Sequence, residues 1–425
     1  MKLKTKLQLI IKMKYFLITS TGLALSLFLL TPLFAAEMSQ AVPLELEKPS
    51  YVTPWKRYKH WNPSDWKNFS NLKNNIRARS SSLQEFESPI NGNPENGKKL
   101  VADRKRGGSC FSCHILPDGS MPGNIGPALS MIGIWNRSDE RLFNYIYDAR
   151  QYNPNTVMPP WGAHGIFSEA EIKDIVSYLQ TLKQPVDFNS PQDNPATRRA
   201  PDKDKHSSLD PFENPAMFSL DLGEELFETP GPKGKSCQNC HEAALKTQFT
   251  TWAATMPKFE TRLNQVIGIE EFITRHARVT TGAEYPSQSE ENLALAIYLR
   301  NLAYGQPITI DQSDANTQAA IKRGNALTQR KIGQLNFACM DCHGLLANRW
   351  IRGQYLVGMS SIYDHFPTYR TSRGEVWDIR KRFQWCNVSI RANELPPNAP
   401  EYGDIEMYLA TINQGQKLSV PGIRH

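Results

Sequence analysis

Three short stretches of this chain share one pattern, Cys-x-x-Cys-His, which limits what the chain can fold into more than any other feature. The copies use six of the seven cysteines and three of only nine histidines. Two thiols one helical turn apart can bond the vinyl groups of one porphyrin, and the adjacent His supplies an axial nitrogen to the iron. A zinc or dithiol site would not explain why His follows immediately three times. The sequence therefore predicts three covalent c-type haems, held by Cys110, Cys113 and His114, by Cys237, Cys240 and His241, and by Cys339, Cys342 and His343.

Each haem motif lies inside a repeated unit. A Gly-x-x-Leu step precedes every motif, starting at Gly97, Gly223 and Gly324. A Tyr-Leu pair closes every unit, at Tyr178-Leu179, Tyr298-Leu299 and Tyr408-Leu409. The closing segments repeat apolar residues at i, i+3 and i+4, which predicts amphipathic helices. An opening helix, a haem loop and a closing helix predict an all-α fold of three class I cytochrome c-like domains.

Cap residues mark the expected ends of these closing helices. Ser168 with Glu171 and Ser287 with Glu290 have the spacing of capping boxes. Gly305 is expected to terminate the second closing helix, and the third is expected to end near Gly415.

The repeat also predicts the second axial ligand of each iron. Cys386 lies twenty-two residues before Tyr408, and His276 lies twenty-two residues before Tyr298. In the first unit the nearest equivalent is Met158, twenty residues before Tyr178. A Met thioether raises haem potential and a Cys thiolate lowers it. The alternatives are that Met158 fills the core, that His276 is a surface residue and that Cys386 is inert.

Two further patterns concern the surroundings of the irons. The Gly126-Pro127 step is expected to place a backbone carbonyl against the ring N–H of His114. Basic residues flank Cys386 and outnumber the acids Glu375, Asp378 and Glu394. These basic residues form either a solvated face or an anion-binding funnel beside the iron: Arg370, Arg373, Arg380, Lys381, Arg382 and Arg391.

The N-terminus predicts export to the periplasm. Residues 1–14 carry five Lys and no acid, an apolar run follows from Tyr15 to Leu30, and a small-residue step comes at Ala35-Ala36. This is the pattern of a cleaved signal peptide, with Met1 or Met13 as the start. No second stretch is long enough to span a bilayer, so we expect no membrane association after cleavage. Without these five Lys the formal charge falls from +7 to +2, so nothing favours nucleic-acid binding.

The chain divides by composition and repeat into six segments. We expect a signal peptide at 1–36, an N-terminal extension at 37–89 and a first haem domain at 90–186. A Pro-rich linker follows at 187–216, and two further haem domains occupy 217–310 and 311–425. The extension carries Trp55, Tyr58, Trp61, Trp66 and Phe69, which form either a strap over the domains or an interaction site.

Parts of the chain are recognisable as a known family. Residues 97–183 resemble the monohaem X subunit of the sulfur-oxidation cytochrome SoxAX, through Gly123-Asn-Ile-Gly-Pro127 and Asn153-Pro-Asn-Thr-Val-Met-Pro-Pro160. The stretch from about Leu220 resembles its A subunit, through Cys386-Asn-Val-Ser-Ile-Arg391 and Pro400-Glu-Tyr402. The resemblance implies a fusion of SoxX with a diheme-type SoxA whose two haem domains form a tandem repeat.

The resemblance implies an L-cysteine S-thiosulfotransferase that couples thiosulfate oxidatively to a cysteine of the SoxYZ carrier protein. Two electrons would pass through the haems, from the Cys386 haem to the Met158 haem, and on to a small c-type cytochrome. Met158 matches the axial Met of the X subunit, Cys386 matches the active-site haem ligand, and Arg382 matches a substrate-side Arg. His276 departs from the family, because diheme A subunits commonly have Cys there. The alternatives are a thiosulfate dehydrogenase that forms tetrathionate and an electron-transfer cytochrome without a substrate.

Overall fold

A computed structural model of the chain describes residues 42–53, 66–76, 82–86, 89–202 and 207–425. The predicted signal peptide and Trp55, Tyr58 and Trp61 lie outside these ranges. Over the ranges that are described, the chain contains no helix with both the length and the apolar character needed to cross a bilayer.

The first haem domain is built from three helices with short 3-10 turns between them. Helix α1 spans Pro94–Ala102, α2 spans Asp139–Asp148 and α3 spans Glu169–Thr181. The 3-10 turns lie at Cys110–Ser112, Ile132–Ile134 and Ala149–Gln151. The predicted capping box at the start of α3 is confirmed, since Ser168 and Glu171 each bond the other's backbone N–H.

The second and third haem domains repeat one order of elements. In the second domain these are α4 Met217–Glu228, α5 Cys237–Leu245, α6 Phe249–Trp252, β1 Lys258–Glu260, β2 Gln265–Ile267, α7 Ile269–Thr280 and α8 Glu290–Leu302. The third domain has α9 Ala315–Gln329, a π-helical turn Asp341–Leu345, β3 Trp350–Ile351, β4 Gln354–Tyr355, β5 Thr368–Arg370, β6 Glu375–Trp377, α10 Ile379–Ser389, α11 Pro400–Ile412 and β7 Gly422–Arg424. Helices dominate, as predicted, and the short strands form a β-hairpin before α7 and another before α10.

The Gly and the Tyr that recur in each unit meet where the opening helix crosses the closing helix. A Cβ built on Gly97 would lie 2.9 Å from the Cβ of Tyr178, and the same crossing joins Gly223 to Tyr298 and Gly324 to Tyr408 at 2.8 Å. Each added Cβ would also overlap a backbone carbonyl of the closing helix. The helices therefore pack backbone to backbone, and only glycine allows this distance.

Two apolar cores organise these helices. One contains Phe227 and Leu295 from the second domain together with Tyr402 and Leu409 from the third. The other belongs to the first domain, with Phe143 and Ile172 at its centre, but it also takes in Leu335 and Phe337 of the third domain. The third domain therefore packs against both of the others.

The second predicted capping box was wrong. Helix α8 begins at Glu290 with Ser289 as its N-cap, and the Ser289 hydroxyl accepts from the N–H of Asn292. Ser287 is buried instead, where its hydroxyl contacts Thr274 Oγ1 and Asn398 Oδ1. The expected helix ends are supported, because Gly305 and Gly415 both have positive φ just beyond α8 and α11.

The described parts of the N-terminal extension pack as a strap over the haem domains. Val52 pairs with Ser287 of the second domain, and Gly333 of the third domain donates its N–H to Ser70 O at 2.8 Å. Farther along, Gln84 exchanges hydrogen bonds with Asn144 of the first domain. Trp66 and Leu72 are each only 3% exposed. Of the two interpretations left open by the sequence, the contacts of these ranges match the strap.

Candidate active site and haem-binding residues

The first Cys-x-x-Cys-His motif has the surroundings that a haem ligand needs. His114 Nδ1 lies 2.8 Å from the carbonyl of Pro127, which confirms the contact predicted for this step. A Cβ on Gly126 would overlap the imidazole, so the ring packs directly against the backbone. Burial lowers the pKa of His114 and favours the neutral ring, whose Nε2 is then free to bind iron.

Met158 lies in the same core as the first motif. Its side chain and Cys110 both pack against the apolar residues of the first domain. The Met158 N–H donates to the Thr156 hydroxyl at 3.1 Å, which shapes the loop that carries the thioether. This placement fits an axial Met, and its ligation of the iron stays a prediction.

The second motif faces the residue that the repeat predicts. The ring centroids of His241 and His276 lie 5.9 Å apart at an interplanar angle of 45°. Two imidazoles on opposite sides of one metal ion, with metal–nitrogen bonds of about 2 Å, would have centroids roughly 6 Å apart. His276 is held on α7, where Phe272 stacks on its ring at 5.2 Å. The pair therefore fits an iron bound by two histidines.

The third motif is brought next to the seventh cysteine. His343 Nδ1 lies 2.8 Å from the carbonyl of Val357, the same arrangement as at His114. Cys386 projects from α10, half-buried, close to Cys339 and Cys342. Burial, with a smaller contribution from Cys386, raises the pKa of both motif thiols to about 12. The twenty-two-residue register thus places Cys386 at the third motif, and its ligation of iron stays a prediction.

A cluster of guanidinium groups lies beside Cys386. Arg370 and Arg424 are paired residues of the parallel strands β5 and β7, and Arg382 lies one helical turn before Cys386 on α10. The pKa of Arg370 is lowered to about 9, chiefly by burial and then by the positive charges of Arg382, Arg424 and the exposed Arg373. Burial also lowers the pKa of Arg424 to about 10.

The cluster has hydrogen-bond donors without acceptors. Arg370 is only 8% exposed, and its Nε has no hydrogen-bond partner among the described residues. The same is true of the buried Nη1 of Arg382. Buried donors in native proteins are almost always paired, and charged ones are the most costly to leave unpaired. The arrangement is therefore complementary to an anion that the described part of the chain does not supply, such as a substrate or a haem propionate.

Three of the six basic residues expected in the funnel bind other groups of the protein. Arg380 is buried and binds Glu406 at 2.7 Å and Glu271 at 3.1 Å. Lys381 pairs with Glu375 at 3.0 Å. Arg391 donates to the carbonyl of Arg106 in the first domain. The six-residue funnel is therefore wrong as a single cluster, because the helical turn of α10 points neighbouring cations in different directions.

Arg424 was missed, and it lies beside Arg370 through the pairing of β7 with β5. It lies in the last two residues of the chain, far in sequence from the motif. Leu418 and Val420 are fully buried and pull the tail into the fold, so that β7 pairs with β5. In the sequence, the apolar residues Leu418 and Val420 are the signal that this C-terminal segment packs against the domain.

The first haem motif and the loop that follows it are in direct contact with the loop that follows the third motif. Arg352 donates its N–H to the carbonyl of Ser112 at 3.1 Å, and Trp350 donates to Asn124 Oδ1 at 2.8 Å. Burial raises the pKa of Cys113 of the first motif, and Cys342 of the third lies close enough to add a smaller contribution. Arg198 of the linker binds the carbonyls of Pro122 and Arg352 and so fastens both loops.

Family models match two parts of the chain. Residues 222–308 match the model described as SoxA/TsdA, cytochrome c domain. Residues 92–179 match the model described as Cytochrome C oxidase, cbb3-type, subunit III. Both parts are therefore cytochrome c domains, a class that carries covalent haem.

The chain is 31% identical over 222 residues to the L-cysteine S-thiosulfotransferase subunit SoxA of Pseudaminobacter salicylatoxidans. The alignment spans 52% of this chain and 77% of that protein. The chain belongs to the SoxA family. This confirms the resemblance of the C-terminal half, while the SoxX resemblance of residues 97–183 stays a prediction.

Other SoxA proteins also match about half of the chain. The L-cysteine S-thiosulfotransferase subunits SoxA of Chlorobaculum thiosulfatiphilum and Allochromatium vinosum are 26% and 28% identical, over 77% and 74% of their lengths and 52% and 50% of this chain. Among solved structures, SoxXA from P. pantotrophus aligns with a TM-score of 0.46 and 23% identity, over 50% of this chain and 80% of that chain.

Proposed function

We propose that this chain is a periplasmic L-cysteine S-thiosulfotransferase that joins thiosulfate oxidatively to a cysteine of a SoxYZ-type carrier protein. Membership of the SoxA family supports the reaction class. The observation that carries the proposal is that Cys386 lies close to the third haem motif and to Arg370 and Arg382, whose buried Nε and Nη1, respectively, have no hydrogen-bond partner among the described residues. A sulfur anion is the substrate that such a site would receive.

The residues that would hold three c-type haems are those of the three motifs together with Met158, His276 and Cys386. Bound haems would supply the one-electron redox chemistry of the reaction. The chain's own contribution is to present neutral imidazoles on the proximal side. Pro127 and Val357 support this role, since each carbonyl accepts from the Nδ1–H of a motif histidine and leaves Nε2 for iron.

The reaction needs an anion held beside an oxidising centre. The outer sulfur of thiosulfate forms a disulfide bond with the carrier cysteine, the S–H bond of that cysteine breaks with release of a proton, and two electrons are removed. Arg382 and Arg370 would bind the sulfonate oxygens and orient the outer sulfur toward Cys386. Guanidinium donors fixed before the reaction also stabilise charge in its transition state.

The first haem domain would accept the electrons for export to a small c-type cytochrome, in the role of a fused SoxX subunit. The contact between the motif loops at Ser112 and Arg352 supports this role, because it holds the first and third motifs side by side. Met158 and Cys386 as distal ligands would give the first site the higher potential and the third site the lower one. The direction of transfer follows from that difference.

The matched family model also covers TsdA, so tetrathionate formation is the rival activity. The two activities separate in one experiment on the wild-type holoprotein, supplied with thiosulfate and an oxidised cytochrome, with and without the carrier. We expect cytochrome reduction to require the carrier and its cysteine to gain thiosulfate. Tetrathionate formed without the carrier would contradict this proposal and indicate a thiosulfate dehydrogenase. If neither product forms, the chain would be an electron-transfer cytochrome without a substrate.

A further inference from the structure

Residues 43–52, here called the N-terminal strap, lie along the second haem domain on both sides of His276. At one end Glu45 donates its N–H to Arg275 O at 3.2 Å. At the other end Val52 and Ser287 are joined by the hydrogen bond from Val52 N to Ser287 O at 3.0 Å. Leu44, next to the first of these ends, is buried at 9% exposure. The strap is thus anchored before and after the segment that carries His276.

The Arg275 side chain fixes the path of the strap. Its Nη1 donates to the carbonyls of Glu45 and Glu47, each at 2.7 Å. Arg275 is itself 4% exposed and held by Glu271 at 2.9 Å. A buried guanidinium tied on one side to a carboxylate leaves the strap carbonyls little freedom to move.

The strap places one carbonyl on the imidazole of His276. Pro43 O lies 2.8 Å from His276 Nδ1. A neutral imidazole that donates its Nδ1–H to a carbonyl has its lone pair on Nε2, the atom left to bind a metal.

This arrangement differs from the other two sites. His114 and His343 bond carbonyls 13 and 14 residues farther along their own loops, whereas His276 bonds a carbonyl 233 residues away. Among the described residues, the facing His241 has no hydrogen-bonded carbonyl of this kind. The second site is therefore the one whose ring orientation is set from a distant part of the chain.

We propose that the N-terminal strap is a positioning element for the second haem, in which the Pro43 carbonyl holds His276 as an Nε2 ligand. The proposal rests on His276 being the distal ligand and does not depend on the thiosulfate reaction. Removing the strap would let the His276 ring rotate and dissociate. Exogenous ligands would then compete for the iron, and loss of the hydrogen bond would make the imidazole a weaker donor.

The test is a full-length holoprotein that lacks residues 42–47 and retains its own signal sequence. We expect three haems to remain attached, the midpoint potential of one bis-histidine haem to rise, and carbon monoxide to bind that reduced haem about 10- to 100-fold more tightly than in wild type. The spectra of the other two haems should not change. An unchanged potential and carbon monoxide affinity in a protein with three haems would overturn the proposal.

Two single substitutions cover the case in which the deletion variant loses a haem or fails to fold. Leu44→Ala removes the buried anchor of the strap, and Leu46→Ala is the matched control because Leu46 is 53% exposed. Tighter carbon monoxide binding in Leu44→Ala than in Leu46→Ala supports the proposal, and equal binding overturns it. His276→Ala should open the same haem to carbon monoxide. A low-spin spectrum unchanged by His276→Ala would also overturn the proposal.

Discussion

Replacing Arg370 by Met should make the anion-free protein more stable and a worse enzyme. The pKa of Arg370 falls from the ordinary 12.5 to about 9, mainly through burial and then through the neighbouring guanidinium groups. That difference corresponds to about 5 kcal/mol of destabilisation of the charged form in the folded state. Since a lowered pKa of a base means that the charged form is disfavoured, this cost is present below pH 9 and declines as the pH rises through about 9.

A dianion bound at the proposed site would offset the cost in the wild-type protein, and Met could not bind it. We therefore expect Arg370→Met to raise the free energy of unfolding without added anion by up to about 5 kcal/mol, less any packing lost over Trp377. Sulfate or thiosulfate should stabilise the wild type against unfolding and stabilise the variant much less. The value of kcat/KM for thiosulfate should fall roughly 10- to 1,000-fold, as for loss of one preorganised donor.

The assay pairs thermal unfolding, with and without sulfate, with steady-state kinetics on the holoprotein. Lys381→Met is the matched control, because Lys381 forms an ion pair with Glu375. Loss of this pair should change the free energy of unfolding by under about 1 kcal/mol. If Arg370→Met is less stable than wild type and keeps both its sulfate response and its KM for thiosulfate, then Arg370 does not hold the substrate anion.

Three further outcomes follow from the fold and the motifs. A pyridine haemochrome titration should give three haems per chain after full cytochrome maturation, and two or fewer would contradict the motif assignment. Arg380→Ala should cost about 3 to 5 kcal/mol of unfolding free energy, because it leaves the buried carboxylates of Glu406 and Glu271 without their shared partner; a change near zero would show that these carboxylates are protonated or hydrated. Gly324→Ala should lower stability by about 1 to 3 kcal/mol through overlap with the carbonyl of Asp404, and a neutral effect would mean that the helices can separate.

The parts of the site that follow from a repeat could be predicted from the sequence. His276 and Cys386 share one register because the hairpin and helix that carry them recur as β1, β2 and α7, and as β5, β6 and α10. The Gly–Tyr helix crossing recurs in all three units, and the twenty-two-residue register holds in the second and third. The contact between the Pro127 carbonyl and His114 could also be predicted, because the two residues are close together in the sequence.

The parts that depend on contacts between distant segments could not be predicted. Arg424 reaches the site because β7 pairs in parallel with β5, and Pro43 reaches His276 across more than half of the chain. The direction in which Arg380 points depends on Glu406, which belongs to another helix. Ser287 has the spacing of a cap, but burial against Thr274 and Asn398 stabilises a different role. Sequence spacing carries no information about such pairings.

The central claim is that Cys386 takes part in joining thiosulfate to the carrier cysteine. Its most direct test is mass spectrometry of the carrier after incubation with thiosulfate, oxidised cytochrome c and either the wild-type holoprotein or Cys386→Ser. We predict that the wild type adds thiosulfate to the carrier cysteine, and that Cys386→Ser adds none although all three haems remain attached. Full modification of the carrier by Cys386→Ser would contradict this account.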